Sequence, residues 1–137
     1  MKFLSAVVFL LFGAAQSANA LTIYDCNLKN AKKRGWIQPR VVIAHDEAKD
    51  AVVVSDPLIL HYNDKQPLRG RVAESNDRRI TFAWDLGETR SASGQTTQRF
   101  QYRATYIKGN KQFFVTAKPL GYPNGFREDG RCKITKK

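Results

Sequence analysis

The chain has 137 residues, 42% of them hydrophobic, and its 23 lysine and arginine residues outnumber 12 acidic ones, for a formal net charge of +11 at pH 7. A chain of this length can bury the core of one domain, and no Ser-, Gly- or Pro-rich linker divides it, which disfavours a multidomain or low-complexity protein. So basic a surface attracts anions and acidic partners, with an effect that weakens as salt rises.

Residues 1–20, MKFLSAVVFLLFGAAQSANA, have the pattern of a secretory signal peptide. The cationic Lys2 precedes an apolar run from Phe3 to Ala15, and the small-residue pattern ANA follows. The apolar run is too short to span a bilayer comfortably, and no later segment approaches the ~20 consecutive apolar residues of a transmembrane helix. We therefore expect cleavage before Leu21 and export, to the periplasm in a Gram-negative organism and to the medium otherwise. Residues 21–137 are expected to form a single all-β domain.

Over most of the remaining chain, hydrophobic residues recur with a period of two, which predicts half-buried antiparallel strands. In RRITFAWDLG and RFQYRATYIKG, rings and polar side chains fall on opposite faces. The rings predicted to face inward are Phe82, Trp84, Phe100, Tyr102 and Tyr106. Short polar segments of hairpin length, such as HDEAKD and KGNK, separate the strands. The predicted strands span residues 22–28, 39–45, 50–55, 58–62, 68–75, 78–87, 97–107 and 111–118.

Eight strands in a meander are enough to close a small up-and-down β-barrel around a packed or ligand-sized interior. The sequence therefore predicts an all-β fold of this kind, and the same pattern also fits a two-sheet β-sandwich. Helix is expected at most as a turn or two in NLKNAKK. Because the inward rings are large, we expect them to fill the interior and to leave little cavity.

Cys26 and Cys132 are the two cysteines of the chain. In an oxidising compartment, two cysteines can pair within the chain in only one way. A thiol nucleophile would need a histidine partner, and His45 and His61 are distant from Cys132 in sequence. Two cysteines without CxxC spacing or a histidine pair make a poor zinc site. The sequence therefore predicts a disulfide that ties the tail GYPNGFREDGRC to the first strand, LTIYDC.

No segment has the pattern of a catalytic or metal site. HDEAKD gathers one histidine and three acidic residues, but it lies between two predicted strands, where polar turn residues are expected in any case. Ser91 and Ser93 lack the G-x-S-x-G elbow of a nucleophile. Asp85 and Glu88 would form a catalytic pair only if burial raised the pKa of one of them. We predict a protein that is not an enzyme and that needs neither a metal nor a cofactor.

The basic residues cluster, most densely in LKNAKKRGWIQPR, which has the features of a connection into the second strand. Long cationic side chains on such a connection project into solvent, where they can meet phosphate or carboxylate groups. Trp36, in the same segment, either plugs one end of the barrel or lies exposed as a candidate interface aromatic that inserts at a partner or headgroup surface. The predicted anion-binding residues are Lys32, Lys33, Arg34, Arg40, Arg99 and Arg103.

Export and the inward orientation of the rings argue against a nucleic-acid partner, which would need exposed rings for base stacking. The remaining anions are envelope components, namely lipid headgroups, lipopolysaccharide phosphates or acidic proteins. We predict a monomeric, exported binding module that recognises such a component and has no transmembrane segment after signal removal. A charge that serves only solubility and a lipocalin-like carrier of a small hydrophobic ligand are the alternatives.

Three features, LTIYDC, SASG and the final Cys132, resemble the small exported inhibitors of C-type lysozyme, which are disulfide-stapled eight-stranded β-barrels. The resemblance implies the same architecture and, as a further alternative, lysozyme inhibition. The chain departs from that family at Gln95, which follows SASG where a tyrosine is expected. Its cationic surface would also repel a cationic enzyme. Size and meander resemble the lipocalins, although Gly35 and Trp36 are adjacent here and lack the one-residue spacer of the lipocalin pattern.

Overall fold

The structure is a computed structural model that describes residues 20–90 and 92–137. The predicted signal peptide, apart from Ala20, and Ser91 lie outside the described residues. The described elements are β1 (Leu21–Asn27), β2 (Arg40–Asp46), β3 (Ala51–Ser55), α1 (Pro57–Tyr62), β4 (Leu68–Ser75), β5 (Arg79–Leu86), β6 (Thr89–Arg90), β7 (Thr96–Thr97), β8 (Phe100–Ile107), β9 (Gln112–Pro119) and β10 (Phe126–Lys136).

Eight of these strands form one closed antiparallel barrel in the order β1-β10-β9-β8-β5-β4-β3-β2. The barrel closes because β1 pairs with β2 on one side and with β10 on the other. The short strands β6 and β7 form a separate two-stranded sheet within the connection from β5 to β8. The closed barrel confirms the predicted all-β, eight-stranded fold and decides against the two-sheet sandwich.

The segment predicted as a fourth strand, residues 58–62, is instead part of the helix α1, so that prediction was wrong. Pro57 occupies the first turn, where a backbone N–H is not needed. The carboxylate of Asp56 accepts a hydrogen bond from the N–H of Ile59 at 2.7 Å and caps the helix. A short apolar run fits a strand or a buried helix turn equally well, and here the Asp-Pro start favours the helix. NLKNAKK, where at most a turn or two of helix was expected, contains no helix.

The eighth barrel strand is β10, in the tail where the sequence pattern predicted no strand. β10 pairs with β9 through its first half and with β1 through its second half. Gly130 lies where these two pairings meet, and a Cβ at this position would collide with the backbone carbonyl of Asn27. Glycine is therefore needed at this close approach of two chains. Because Glu128 and Gly130 occupy positions on its inner face, β10 lacks a clear hydrophobic alternation.

Cys26 and Cys132 lie directly opposite each other in β1 and β10 and form the predicted disulfide. Both residues are buried. The bond joins the first and last strands of the barrel across a sequence separation of 106 residues. It therefore reinforces the strand pair that closes the barrel.

Aromatic side chains pack the barrel interior, and all five rings predicted to face inward are at most 7% exposed. Trp84 and Tyr102 stack with their ring centroids 5.4 Å apart. The ring of Tyr24 meets those of Phe82 and Tyr106 edge to face, with centroids 5.1 and 5.3 Å away. Burial raises the pKa of Tyr24 to about 12 and also raises the pKa values of Tyr102 and Tyr106. These phenols stay protonated, and the interior they line is a packed core.

Candidate anion-binding surface

The connection from β1 to β2, residues 28–39, carries the densest run of cations, and we call it the basic loop. The side-chain amide of the buried Gln38 donates hydrogen bonds to the carbonyl oxygens of Lys33 and Gly35, at 3.1 and 2.8 Å. Leu28, at the start of the loop, is part of the hydrophobic core. These contacts give the loop backbone a defined path.

Trp36 anchors the basic loop across one end of the barrel. Its ring stacks on Phe100 with centroids 4.5 Å apart, and the hydroxyl of Tyr102 donates to its carbonyl oxygen at 2.7 Å. Both partners belong to β8, three strands from β1 in the barrel order, so the loop must cross the barrel end to reach them. These contacts favour the plug interpretation of Trp36. The half-buried residue also lines a cleft of about 320 Å³ beside Lys32 and Glu128.

The side chains of Lys32, Lys33 and Arg34 are exposed on the basic loop. None of the three forms an ion pair or hydrogen bond through its side chain with a residue of the described part of the chain. Arg99 is also exposed, and it directly precedes Phe100, so it lies at the same barrel end as the loop. The structure therefore brings four of the six predicted anion-binding residues to one end of the molecule.

The other two predicted residues, Arg40 and Arg103, lie elsewhere. Arg40 donates two hydrogen bonds to the carboxylate of Asp25, at 2.9 and 2.8 Å, and this contact lowers the pKa of that carboxyl group. Because Arg40 already has a counterion and links β2 to β1, it suits a structural role better than ligand binding. Arg103 is exposed on the outer face of β8, on the side wall of the barrel.

A groove of about 530 Å³ opens between the basic loop and strands β9 and β10. Its cationic lining residues are Lys29, Arg127 and Arg131. Phe114 adds an aromatic surface, and the guanidinium carbon of Arg127 lies 4.4 Å from the centre of its ring. Asp129 contributes one carboxylate, 3.3 Å from Arg127. Sequence reasoning missed this groove because two of its cations lie in β10, a segment in which no strand was predicted. The charged residues at alternate positions of REDGRCK were the signal that could have indicated the exposed face of a strand.

The candidate catalytic and metal-binding residues that the structure describes form no comparable site. In HDEAKD, His45 is buried, and its Nε2 lies 3.4 Å from Oδ1 of Asp50. Within residues 20–90 and 92–137, no group of three or more His, Cys, Asp or Glu side chains is placed to hold a metal ion. Asp85 is half-buried on β5, and Glu88 is exposed. The helix that the structure describes is too short to cross a membrane, and no longer apolar helix occurs in the same residues.

Comparison of the chain with known protein families, curated proteins and solved structures finds no match. The likeness to lysozyme inhibitors therefore rests on the short sequence stretches named above.

Proposed function

We propose that the protein is a non-catalytic exported binding module that recognises an anionic component of the cell envelope or of the extracellular medium. The observation that carries the proposal is the exposed run Lys32-Lys33-Arg34 on a loop whose backbone is already held in place. Binding through an ordered loop loses little backbone entropy, so more of the interaction free energy appears as affinity. The net charge is +11 for the full chain and 22 − 12 = +10 once Lys2 is removed with the signal peptide, and it adds long-range attraction that speeds the encounter with anions.

The chemistry of the basic loop suits a surface that carries many phosphate groups. Lysine ammonium groups on flexible stems adapt to phosphates at variable positions, and the planar guanidinium of Arg34 can bind one phosphate through two parallel hydrogen bonds. Trp36, stacked on Phe100 at the barrel end, holds the neighbouring cations in position. Lipid headgroups and lipopolysaccharide both present this arrangement of anions.

The packed interior supports this proposal over a carrier of hydrophobic ligands. Carriers bury most of a ligand in a cavity of several hundred cubic ångströms, whereas the aromatic rings of this barrel pack against one another in its centre. Lysozyme inhibition is disfavoured because two cationic surfaces repel each other at long range.

Alanine substitution of Lys32, Lys33 and Arg34 together tests the proposal. Adsorption to phosphatidylglycerol-containing vesicles or to lipopolysaccharide should weaken severalfold, because the clustered charges are lost. A control variant removes the same number of positive charges, at exposed positions near the opposite end of the barrel. The control substitutions are Lys49→Ala, Lys136→Ala and Lys137→Ala. Circular dichroism and thermal unfolding establish that both variants keep the fold.

Wild-type adsorption should also fall steeply as salt rises from low to physiological strength. If the two triple variants lose adsorption equally, net charge and not the basic loop is responsible. If the wild-type protein ignores these anionic surfaces and other anionic polymers even at low salt, the proposed function is wrong and the charge serves solubility alone.

A further inference from the structure

Three arginines lie in a single register row on the outer face of the barrel, and we call this set the arginine row. Arg71 pairs with Ala83, Ala83 with Arg103, Arg103 with Thr116, and Thr116 with Arg127. The row thus crosses β4, β5, β8, β9 and β10. Residues paired across neighbouring strands point to the same face of a sheet, and all three arginines are exposed.

The residues between the arginines, Ala83 and Thr116, are small, and Ala83 is also covered. Ala83 faces outward but is only 2% exposed, and it lies between Arg71 and Arg103 in the register. In the adjacent row, Thr81 and Thr105 are also buried and share a hydrogen bond between their hydroxyl groups at 2.8 Å. Arginine stems can cover such a surface while their charged heads stay in water. A ligand can therefore approach along the row without meeting a bulky side chain.

The three arginines of the row differ in whether they form an ion pair. Neither Arg71 nor Arg103 forms an ion pair with a residue in the described ranges, whereas Arg127 pairs with Asp129 at 3.3 Å. Neighbouring strands are about 4.8 Å apart, so arginines on alternate strands are about 10 Å apart at the backbone. The row therefore presents excess positive charge at a regular spacing.

The arginine row leads into the groove beside the basic loop. Arg127 belongs to both, since it is the last member of the row and lines the groove. Lys29 and Arg131 continue the positive surface on the far side. The cations of this continuous track are Arg71, Arg103, Arg127, Arg131 and Lys29.

We propose that the arginine row and the adjoining groove bind a linear polymer that carries phosphate groups along its length. This inference rests on the proposed function and specifies its anionic partner. The guanidinium group matches phosphate oxygens through two parallel hydrogen bonds, and cations at regular intervals match the repeating charge of a polymer. The groove receives the part of the bound polymer that extends beyond Arg127.

The curvature of the barrel favours a flexible chain over a flat membrane as the occupant of this row. The row covers four of the eight inter-strand steps. With strands tilted by ~35–45°, the outward directions of Arg71 and Arg127 then diverge by roughly 100°. A planar bilayer cannot contact both ends of such a row at once, whereas a flexible polymer can follow it around the barrel.

The test compares an Arg71→Gln/Arg103→Gln variant with a Lys49→Gln/Lys137→Gln control, each of which removes two positive charges. The control residues are exposed and lie outside the row. Calorimetric titration with long-chain inorganic polyphosphate measures affinity at several salt concentrations, and thermal unfolding checks the fold. Tripolyphosphate, which is too short to span the row, serves as the short probe.

The row variant should bind long-chain polyphosphate about tenfold more weakly than wild type. The affinity of the control variant for the same polymer should differ from that of wild type by less than about twofold. The slope of log affinity against log salt should also become shallower by about one to two for the row variant. Tripolyphosphate should bind weakly and distinguish the variants little, because it reaches only part of the row.

If the row variant and the control lose affinity for long-chain polyphosphate equally, the proposed binding role of the arginine row is wrong, and the proposed function stays intact. Wild-type binding to anionic vesicles without binding to polyphosphate would overturn the linear partner in favour of a membrane surface. Wild-type protein that binds neither vesicles, lipopolysaccharide nor polyphosphate would overturn this inference and the proposed function together.

Discussion

Asp56 holds a buried carboxylate at one end of the barrel, and its replacement by asparagine should stabilise the protein near neutral pH. The residue is 6% exposed, and its side chain accepts a hydrogen bond from the N–H of Ile59 at 2.7 Å. Burial raises the pKa of this carboxyl group from 3.8 to about 6, even though hydrogen bonds from the backbone of Ile59 and Leu58 act to lower it. The ionised form is therefore costly in the folded state.

The direction of the pH dependence follows from proton binding. Between about pH 4 and about pH 6 the folded protein holds this proton more tightly than the unfolded chain does, so stability falls as pH rises through that window. A difference of roughly two pKa units amounts to about 3 kcal/mol at neutral pH. Asparagine accepts the same capping hydrogen bond without a charge, and it forgoes about 0.5 kcal/mol of attraction to the helix terminus. The Asp56→Asn variant should therefore gain about 2 kcal/mol at neutral pH.

Urea unfolding of both proteins across the window measures this gain as a difference in the free energy of unfolding. The difference should grow from near zero at about pH 4 to about 2 kcal/mol at about pH 7. The pKa of Asp25 is lowered by Arg40. Because this residue is present in both proteins, its contribution to the pH dependence of stability cancels in the difference. An Asp56→Ala control lacks the capping acceptor and should be about 1 kcal/mol less stable than the asparagine variant at every pH. A difference that does not change with pH, or an asparagine variant that is weaker at neutral pH, would refute the reasoning.

Replacement of Cys26 and Cys132 by alanine should lower the free energy of unfolding by up to about 5 kcal/mol, because the bond closes a loop with a sequence separation of 106. This loss corresponds to a fall in Tm of up to about 20 °C for a domain of about 115 residues, and two thiols that titrate in the native, non-reduced protein would contradict the disulfide. Gly130→Ala should cost at least about 3 kcal/mol in thermal unfolding because its Cβ meets the backbone carbonyl of Asn27, which cannot rotate away, whereas Gly109→Ala, with open space around it, should be nearly neutral. The packed interior should give no saturable submicromolar uptake of a fluorescent fatty acid; stoichiometric binding that natural lipid displaces would instead support a carrier.

Local sequence patterns determined much of the barrel. The alternation of rings and polar residues in β5 and β8 identified the inward positions, including Phe82, Trp84 and Tyr102, because the pleat of a strand sends successive side chains to opposite faces. The cysteine count predicted the disulfide between Cys26 and Cys132, which the structure confirms. The exposed cations of the basic loop were also identified from one contiguous segment. Each of these features depends on residues close together in the sequence or on a single possible pairing.

Other features depended on the tertiary structure. The run at residues 58–62 is too short for its periodicity to separate strand from helix, and only its capped start and the packing of Ile59 made it α1. β10 becomes a strand because β9 and β1 pair with its two halves, although its inner face includes Glu128 and Gly130. The arginine row joins β4, β8 and β10, which are distant in sequence. Periodicity is a property of one strand, whereas strand order and register are set by the closure of the whole barrel, so only the folded chain could place these arginines in one line.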